Sequence, residues 1–107
     1  MKALMNNHLI TLKVEQLNDH KNQYLITLID EEGNEVKCFQ SYKTPIAYYY
    51  PEQHRLEINW DKWDYSKTTI RHLEYFITNF TPYLYKSKHH FLWFILNSDE
   101  VTCFKDE

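Results

Sequence analysis

Apolar and polar residues alternate with a period of two along the first 60 positions of the chain, which is typical of strands that bury one face. Short polar stretches and the prolines Pro45 and Pro51 interrupt the alternation. The pattern predicts five strands, at residues 8–14, 24–29, 36–40, 46–50 and 56–60. Gly33 lies between the second and third of these, where it can supply the positive φ angle that a tight turn requires.

The fifth predicted strand has the most regular alternation. Leu56, Ile58 and Trp60 are separated by Glu57 and Asn59. Successive side chains of a strand point to opposite faces of the sheet, so the three apolar residues are expected in the core. The two polar residues are expected to face water.

A helical period replaces the alternation after Tyr65. Ser66 is suited to cap a helix, because its hydroxyl can accept one of the first backbone N–H groups. Five apolar residues then recur at helical spacing and form one stripe: Ile70, Leu73, Phe76, Ile77 and Phe80. These features predict a helix from Lys67 to about Asn79.

A second helix is predicted from Lys88 to about Asn97, with Ser87 as its cap. The apolar run Phe91–Leu96 within it also suits a buried strand paired with residues 101–104, because periodicity does not separate the two in so short a run. Helix is the favoured interpretation. The elements together predict an α+β fold: an antiparallel sheet of about five strands with two C-terminal helices packed on one face. A short final strand after the second helix is left open.

The length of 107 residues predicts a single domain, residues 1–107. Apolar residues make up 43% and charged residues 25% of the chain, which is ordinary for a globular protein. The longest apolar run has six residues, whereas a membrane span needs about 20. The first residues also lack the apolar core of a secretory signal, so the protein is expected to be cytoplasmic and to have no membrane partner.

Glycine and the aromatic residues depart from average composition. The chain has one glycine, whereas loops that cradle nucleotide phosphates use two or three at fixed spacing. Enzymes that depend on such loops are therefore excluded. Aromatic residues reach 17%, which gives a small domain unusual potential for apolar burial and leaves some rings to be exposed.

The ionisable residues do not form a recognisable catalytic or metal-binding pattern. Six histidines and two cysteines lack the spacing of a zinc site. Ser66 and His72 lie about 240° apart around one helix and roughly 9 Å apart along it, so they do not form a nucleophile–base pair. No catalytic residue, metal or cofactor is predicted. A metal-dependent nuclease using Asp61 and Asp64 is the least favoured of the functions considered.

The most suggestive group of residues is aromatic. Tyrosines form a run at 48–50, and further aromatic residues crowd the junction between the fifth strand and the first helix, beside two lysines. Such residues suit the core, a protein interface or single-stranded nucleic acid. The net charge of −3 shows no basic excess, which favours the core and protein interfaces over nucleic acid. The candidate binding residues are Tyr48, Tyr49, Tyr50, Lys62, Trp63, Tyr65, Lys67 and His72.

Two segments carry a resemblance. Residues 41–47 read Ser-Tyr-Lys-Thr-Pro-Ile-Ala, and residues 63–72 read Trp-Asp-Tyr-Ser-Lys-Thr-Thr-Ile-Arg-His. The pair resembles the signature of a small uncharacterised family encoded mainly by phages and plasmids of Gram-positive bacteria. The resemblance covers about a third of the chain and carries no known activity or site residue.

The resemblance implies a bacterial host cell and a mobile-element context, in which small proteins often bind a host factor. We therefore expect a non-enzymatic binding protein that inhibits a host defence or DNA-processing enzyme, such as a CRISPR effector nuclease. Its expected partner is a host protein or ribonucleoprotein complex. The alternative is a small single-stranded nucleic-acid-binding protein of phage or plasmid replication or regulation.

Overall fold

The computed structural model of the chain describes residues 8–105. Six strands form one sheet in chain order: β1 Ile10–Gln16, β2 Gln23–Ile29, β3 Glu35–Ser41, β4 Thr44–Tyr50, β5 Arg55–Asn59 and β6 Val101–Phe104. Two helices, α1 Lys67–Phe80 and α2 Lys88–Asn97, lie between β5 and β6 in the chain. Short 3₁₀ turns follow β1 and β4, at Leu17–Asp19 and Pro51–Gln53.

The α+β class, the five N-terminal strands and both helices are confirmed, including the helical state of residues 88–97. Gly33 has a φ of 87° in the β2–β3 turn, as its position predicts. Ser66 and Ser87 both cap their helices: each hydroxyl accepts a backbone N–H three residues on, at 3.1 Å. The local chemistry of the helix starts therefore agrees with the sequence.

The sheet is mixed, which corrects the prediction of an antiparallel sheet with both helices at its C-terminal end. Strands β1 to β5 pair antiparallel, but β6 pairs parallel to β5, with Leu56 opposite Val101 and Asn59 opposite Phe104. A parallel neighbour needs a long crossover, and α1 and α2 provide it. The helices thus form a connection within the sheet.

The main core lies between the sheet and the two helices. Its fully buried side chains come from every layer: Leu17, Phe39, Ala47, Leu56, Ile58, Leu73, Phe76, Ile77 and Phe91. Aromatic rings connect the layers, since Phe39 of β3 lies 6.2 Å from Phe76 of α1 between ring centroids. This packing holds α1 against the sheet.

Glu57 and Asn59 are fully buried, so the expectation that they face water is wrong. Strand β5 lies between β4 and β6, and both of its faces are covered. Glu57 accepts a hydrogen bond from the Tyr50 hydroxyl at 3.1 Å. Asn59 donates to the Pro45 carbonyl at 2.9 Å. Each polar side chain therefore has partners inside the protein, as burial requires.

Candidate functional site

A cleft of about 530 Å³ opens between the β3–β4 turn and the N-terminus of α1. We call it the tyrosine cleft, because Tyr42 and Tyr65 are its exposed aromatic residues. Its lining residues are Gln23, Ser41, Tyr42, Thr44, Ile46, Lys62, Tyr65, Ser66, Thr68 and Thr69. The size lies within the range of about 300–1,000 Å³ that is usual for small-molecule sites.

Tyr42 is held in place by the backbone of the turn. Its φ angle is 55°, a left-handed conformation that is uncommon for residues other than glycine. Two hydrogen bonds fix it: its N–H donates to the Asn22 carbonyl at 2.7 Å, and its carbonyl accepts from the Gln40 side chain at 2.9 Å. The ring remains 63% exposed. Such backbone strain is often found where function requires a particular orientation.

Tyr65 and Lys62 lie in the loop from β5 to α1, which Asn59 anchors. The Asn59 side-chain oxygen accepts the N–H groups of Asp61 and Lys62, each at 3.1 Å. The Lys62 ammonium lies 4.6 Å from the centroid of the Tyr65 ring, within the range of a cation–π contact. Tyr65 is 70% exposed. The loop thus presents an aromatic face and a positive charge together.

The first turn of α1 leaves backbone donors unused, and Thr68 of this turn lines the cleft. The Ser66 hydroxyl accepts from the Thr69 N–H, and the Ser66 carbonyl accepts from the Ile70 N–H at 3.0 Å. The N–H groups of Lys67 and Thr68 have no acceptor among residues 8–105. Free N–H groups and the helix dipole together favour negative charge at this end of a helix.

Gln23 contributes to the cleft lining although only 1% of its surface is exposed. Its side-chain carbonyl oxygen is buried and has no hydrogen-bond partner in the described part of the chain. A buried acceptor without a donor costs about 1–3 kcal/mol, so such groups are rare and call for an explanation. The hydroxyl-bearing residues Ser41 and Thr69 are also buried here.

His72 lies behind the cleft, one helical turn after Thr68. Its Nδ1 is 2.9 Å from the Thr68 carbonyl and therefore donates to it, which leaves Nε2 without a proton in the neutral ring. Nε2 is buried and has no partner within residues 8–105. The His20 ring packs edge-on against the His72 ring, with 4.5 Å between the ring centroids. Burial lowers the pKa of His72, and the nearby charges of His20 and Arg71 lower it further.

The lowered pKa of His72 makes folding stability depend on pH. Below the ordinary value of 6.5 the unfolded chain binds this proton more readily than the folded protein does. The free energy of unfolding should therefore fall between pH 7.5 and 5.5, by at most about 1.4 kcal/mol per pH unit from this residue. Urea unfolding at both pH values measures the change. His72→Gln should flatten the dependence and the exposed His89→Gln should not; equal slopes in all three proteins would contradict the assignment.

The structure brings together only some of the residues predicted for binding. Lys62 and Tyr65 line the cleft, and Lys67 is exposed at the start of α1. Tyr48 is half-buried and packs on Tyr50, 6.3 Å between ring centroids, on the face of the sheet away from the helices. His72 is buried beside the cleft without lining it.

Three of the predicted rings belong to the core. Tyr49 packs on Tyr83, Trp63 packs on Phe91, and Tyr50 donates to buried Glu57. Tyr49, Tyr50 and Trp63 are no more than 8% exposed. The expectation that the tyrosine run and the Trp63 loop present exposed rings is therefore wrong at these positions. The alternation along β4 places Tyr49 on the face of the sheet that packs against the helices. Tyr50 lies on the opposite face, where its hydroxyl is bonded to the buried Glu57 carboxylate of β5.

Sequence reasoning missed Tyr42 and Gln23 as site residues. Tyr42 lies within the 41–47 segment and Tyr65 within the 63–72 segment, so the two segments that carry the resemblance meet at one cleft. The presence of a tyrosine in each of the two segments was the signal in the sequence that could have pointed to Tyr42. Gln23 gives none, because a polar residue at the start of a strand is ordinary.

The carboxylates closest in sequence to the cleft residues do not line the cleft. Asp64 pairs with Lys88 of α2 at 3.5 Å, and Asp61 is exposed. Across residues 8–105, no group of three or more histidine, cysteine, aspartate or glutamate side chains is placed to hold a metal ion.

The family model for a family of unknown function, DUF8033, matches residues 11–90. The chain belongs to this family. The matched region contains β1 from its second residue, β2 to β5, α1 and every residue that lines the tyrosine cleft. No curated protein and no solved structure matches the chain. In the described residues, no helix has both the length and the apolar character of a transmembrane span.

Proposed function

We propose that this member of DUF8033 is a non-enzymatic binding protein that holds a macromolecular partner at the tyrosine cleft. The observation that carries the proposal is the exposure of Tyr42 and Tyr65 on an otherwise fixed frame. Tyrosine is enriched among residues that dominate binding energy, because it buries a large area with few torsions to immobilise. The backbone of Tyr42 is already fixed by the turn and the Tyr65 ring already contacts Lys62, so both residues lose less freedom on binding.

The proposed partner is a host defence or DNA-processing enzyme, such as a CRISPR effector nuclease, which the protein inhibits in the bacterial cytoplasm. Support comes from the resemblance of residues 41–47 and 63–72 to a family carried by phages and plasmids, and from the position of both segments at the cleft. Mobile elements gain from blocking such enzymes.

A cleavage assay tests the proposal. The purified protein is added to a panel of Cas9-type nucleases, with and without guide RNA, and the cutting of a target duplex is followed. We expect inhibition of a panel member, and we expect Tyr42→Ala with Tyr65→Ala to weaken it by about 30-fold or more, as two interface anchors would. Trp93→Ala is the matched control, because Trp93 is also exposed but lies on α2. Absence of inhibition across the panel, or equal loss in the control, would overturn the proposal.

A second candidate is a single-stranded nucleic-acid-binding protein of replication or regulation. The Lys62 ammonium above the exposed Tyr65 ring favours it, since aromatic faces stack bases and lysines neutralise phosphates. This function predicts binding that weakens with salt and with replacement of Lys62 or Lys67.

A further inference from the structure

We propose that the tyrosine cleft contains a subsite for one nucleotide, with the phosphate at the N-terminus of α1 and the base on an exposed tyrosine. The inference rests on the proposed use of the cleft for binding and specifies what the cleft recognises. The nucleotide belongs to a single strand or is a free mononucleotide, because both present the same phosphate and base.

The phosphate end is defined by donors that the fold leaves unused. The N–H groups of Lys67 and Thr68 have no acceptor in the described residues, and α1 adds the dipole of a 14-residue helix. Lys62 brings a positive charge to the same wall. Of the nearby carboxylates, Asp64 is paired with Lys88, and neither Asp61 nor Asp64 is among the residues that line the cleft. A singly or doubly charged phosphate is the complementary group.

The base end is defined by two exposed rings and one buried amide. Tyr42 and Tyr65 offer aromatic faces, which stack on any base. Gln23 lies in the lining with a carbonyl oxygen that lacks a donor. Every nucleic-acid base carries an N–H or amino group beside an acceptor, and a glutamine side chain complements such an edge with one acceptor and one donor. A base reaching Gln23 would satisfy the buried oxygen.

Size and charge limit the ligand to one unpaired nucleotide, free or within a single strand. A volume of about 530 Å³ accommodates a base, sugar and phosphate but not a duplex. The net charge of −3 opposes the broad phosphate contacts that a duplex binder makes. Stacking on a tyrosine ring and hydrogen bonds from the N-terminus of α1 are therefore expected to provide most of the binding energy.

Calorimetric titration with adenosine monophosphate, ribose 5-phosphate and a single-stranded adenylate hexamer tests the subsite. We expect the monophosphate to bind, or to displace the hexamer, while ribose 5-phosphate binds at least tenfold more weakly. Binding of the hexamer identifies a strand as the source, and binding of the monophosphate alone identifies a free nucleotide. No binding of either, or equal binding of ribose 5-phosphate, would overturn the inference.

Variants assign the binding to the cleft. Tyr65→Ala should weaken it by about 5- to 150-fold, the range expected for loss of one stacked base, and Tyr65→Phe should stay within about twofold. Lys62→Ala should weaken binding and reduce its salt dependence, whereas the exposed Lys86→Ala, outside the cleft lining, should not. Unchanged affinity in the double variant Tyr42→Ala with Tyr65→Ala would contradict the assignment.

The cleavage assay separates this inference from the proposed function. If nuclease inhibition depends on Tyr42 and Tyr65 while no nucleotide binds, the cleft recognises protein and only the nucleotide subsite is lost. If nucleotides bind and no nuclease is inhibited, the proposed inhibition is lost and the subsite stands.

Discussion

Phe91→Ala should lower the free energy of unfolding by about 3–5 kcal/mol, the usual cost of removing a buried aromatic ring. Phe91 is fully buried, and its ring contacts those of Trp63, Tyr85 and Phe94 at centroid distances of 5.7, 4.9 and 5.9 Å. Its loss opens a cavity between α2 and the loop that leads to the tyrosine cleft. Urea unfolding followed by circular dichroism measures the change.

Trp93→Ala is the control on the same helix. Trp93 is 62% exposed, so Trp93→Ala should lower the free energy of unfolding by no more than about 1 kcal/mol, although tryptophan is larger than phenylalanine. The two variants together test whether α2 packs on the sheet through the face that carries Phe91. Equal losses, or a larger loss for Trp93→Ala, would show that α2 is rotated about its axis.

The local elements could be predicted because their causes are local. Ser66 and Ser87 cap the helices through hydroxyl contacts three residues on, and Gly33 turns the chain where a positive φ angle is needed. Strand positions follow from alternation over a few residues. None of these features requires knowledge of what packs against the element.

The position of β6 could not be predicted in this way, and neither could the cover over the face of β5 that carries Glu57 and Asn59. Alternation assigns polar residues to water only when one face of a strand is open. Strand β6 adds a parallel neighbour about 40 residues further along the chain, and β5 becomes an interior strand. A neighbouring strand covers an edge and not a face, so the burial of Glu57 and Asn59 needs a separate cause. Both side chains find partners in β4, the Tyr50 hydroxyl and the Pro45 carbonyl, on a face that the alternation leaves open to water.

Only the part of the candidate site that is local in sequence could be predicted. Lys62 and Tyr65 are close in sequence to the cap of α1, so their proximity was visible. Gln23 and Tyr42 reach the cleft through the pairing of β2 with β3, which places Gln23 opposite Ser41. Whether a ring is exposed depends on such non-local pairing, and that is why the tyrosine run was misjudged while Tyr42 was overlooked.

Tyr50→Phe should lower the free energy of unfolding by about 1.5–3 kcal/mol, the range for a hydrogen bond to a charged group. The Tyr50 hydroxyl donates to the Glu57 carboxylate, and both residues are buried. Burial raises the pKa of Tyr50, and the Glu57 carboxylate raises it further, so the phenol remains a donor at all ordinary pH values. Removing the hydroxyl leaves the carboxylate with one donor fewer where water does not replace it. Urea unfolding at pH 7.5 measures the loss.

Tyr83→Phe is a control, because it deletes the same atom from a bond to another glutamate, together with a longer bond to the His54 carbonyl at 3.2 Å. The Tyr83 hydroxyl donates to Glu100 at 2.7 Å, a shorter distance than the 3.1 Å between Tyr50 and Glu57. Glu100 is exposed, so water can take the place of the hydroxyl and the expected loss is below about 1 kcal/mol. Bond length and burial therefore predict opposite rankings of the two variants. A larger loss for Tyr83→Phe would mean that distance, and not the exclusion of water around Glu57, determines how much each tyrosine stabilises the fold.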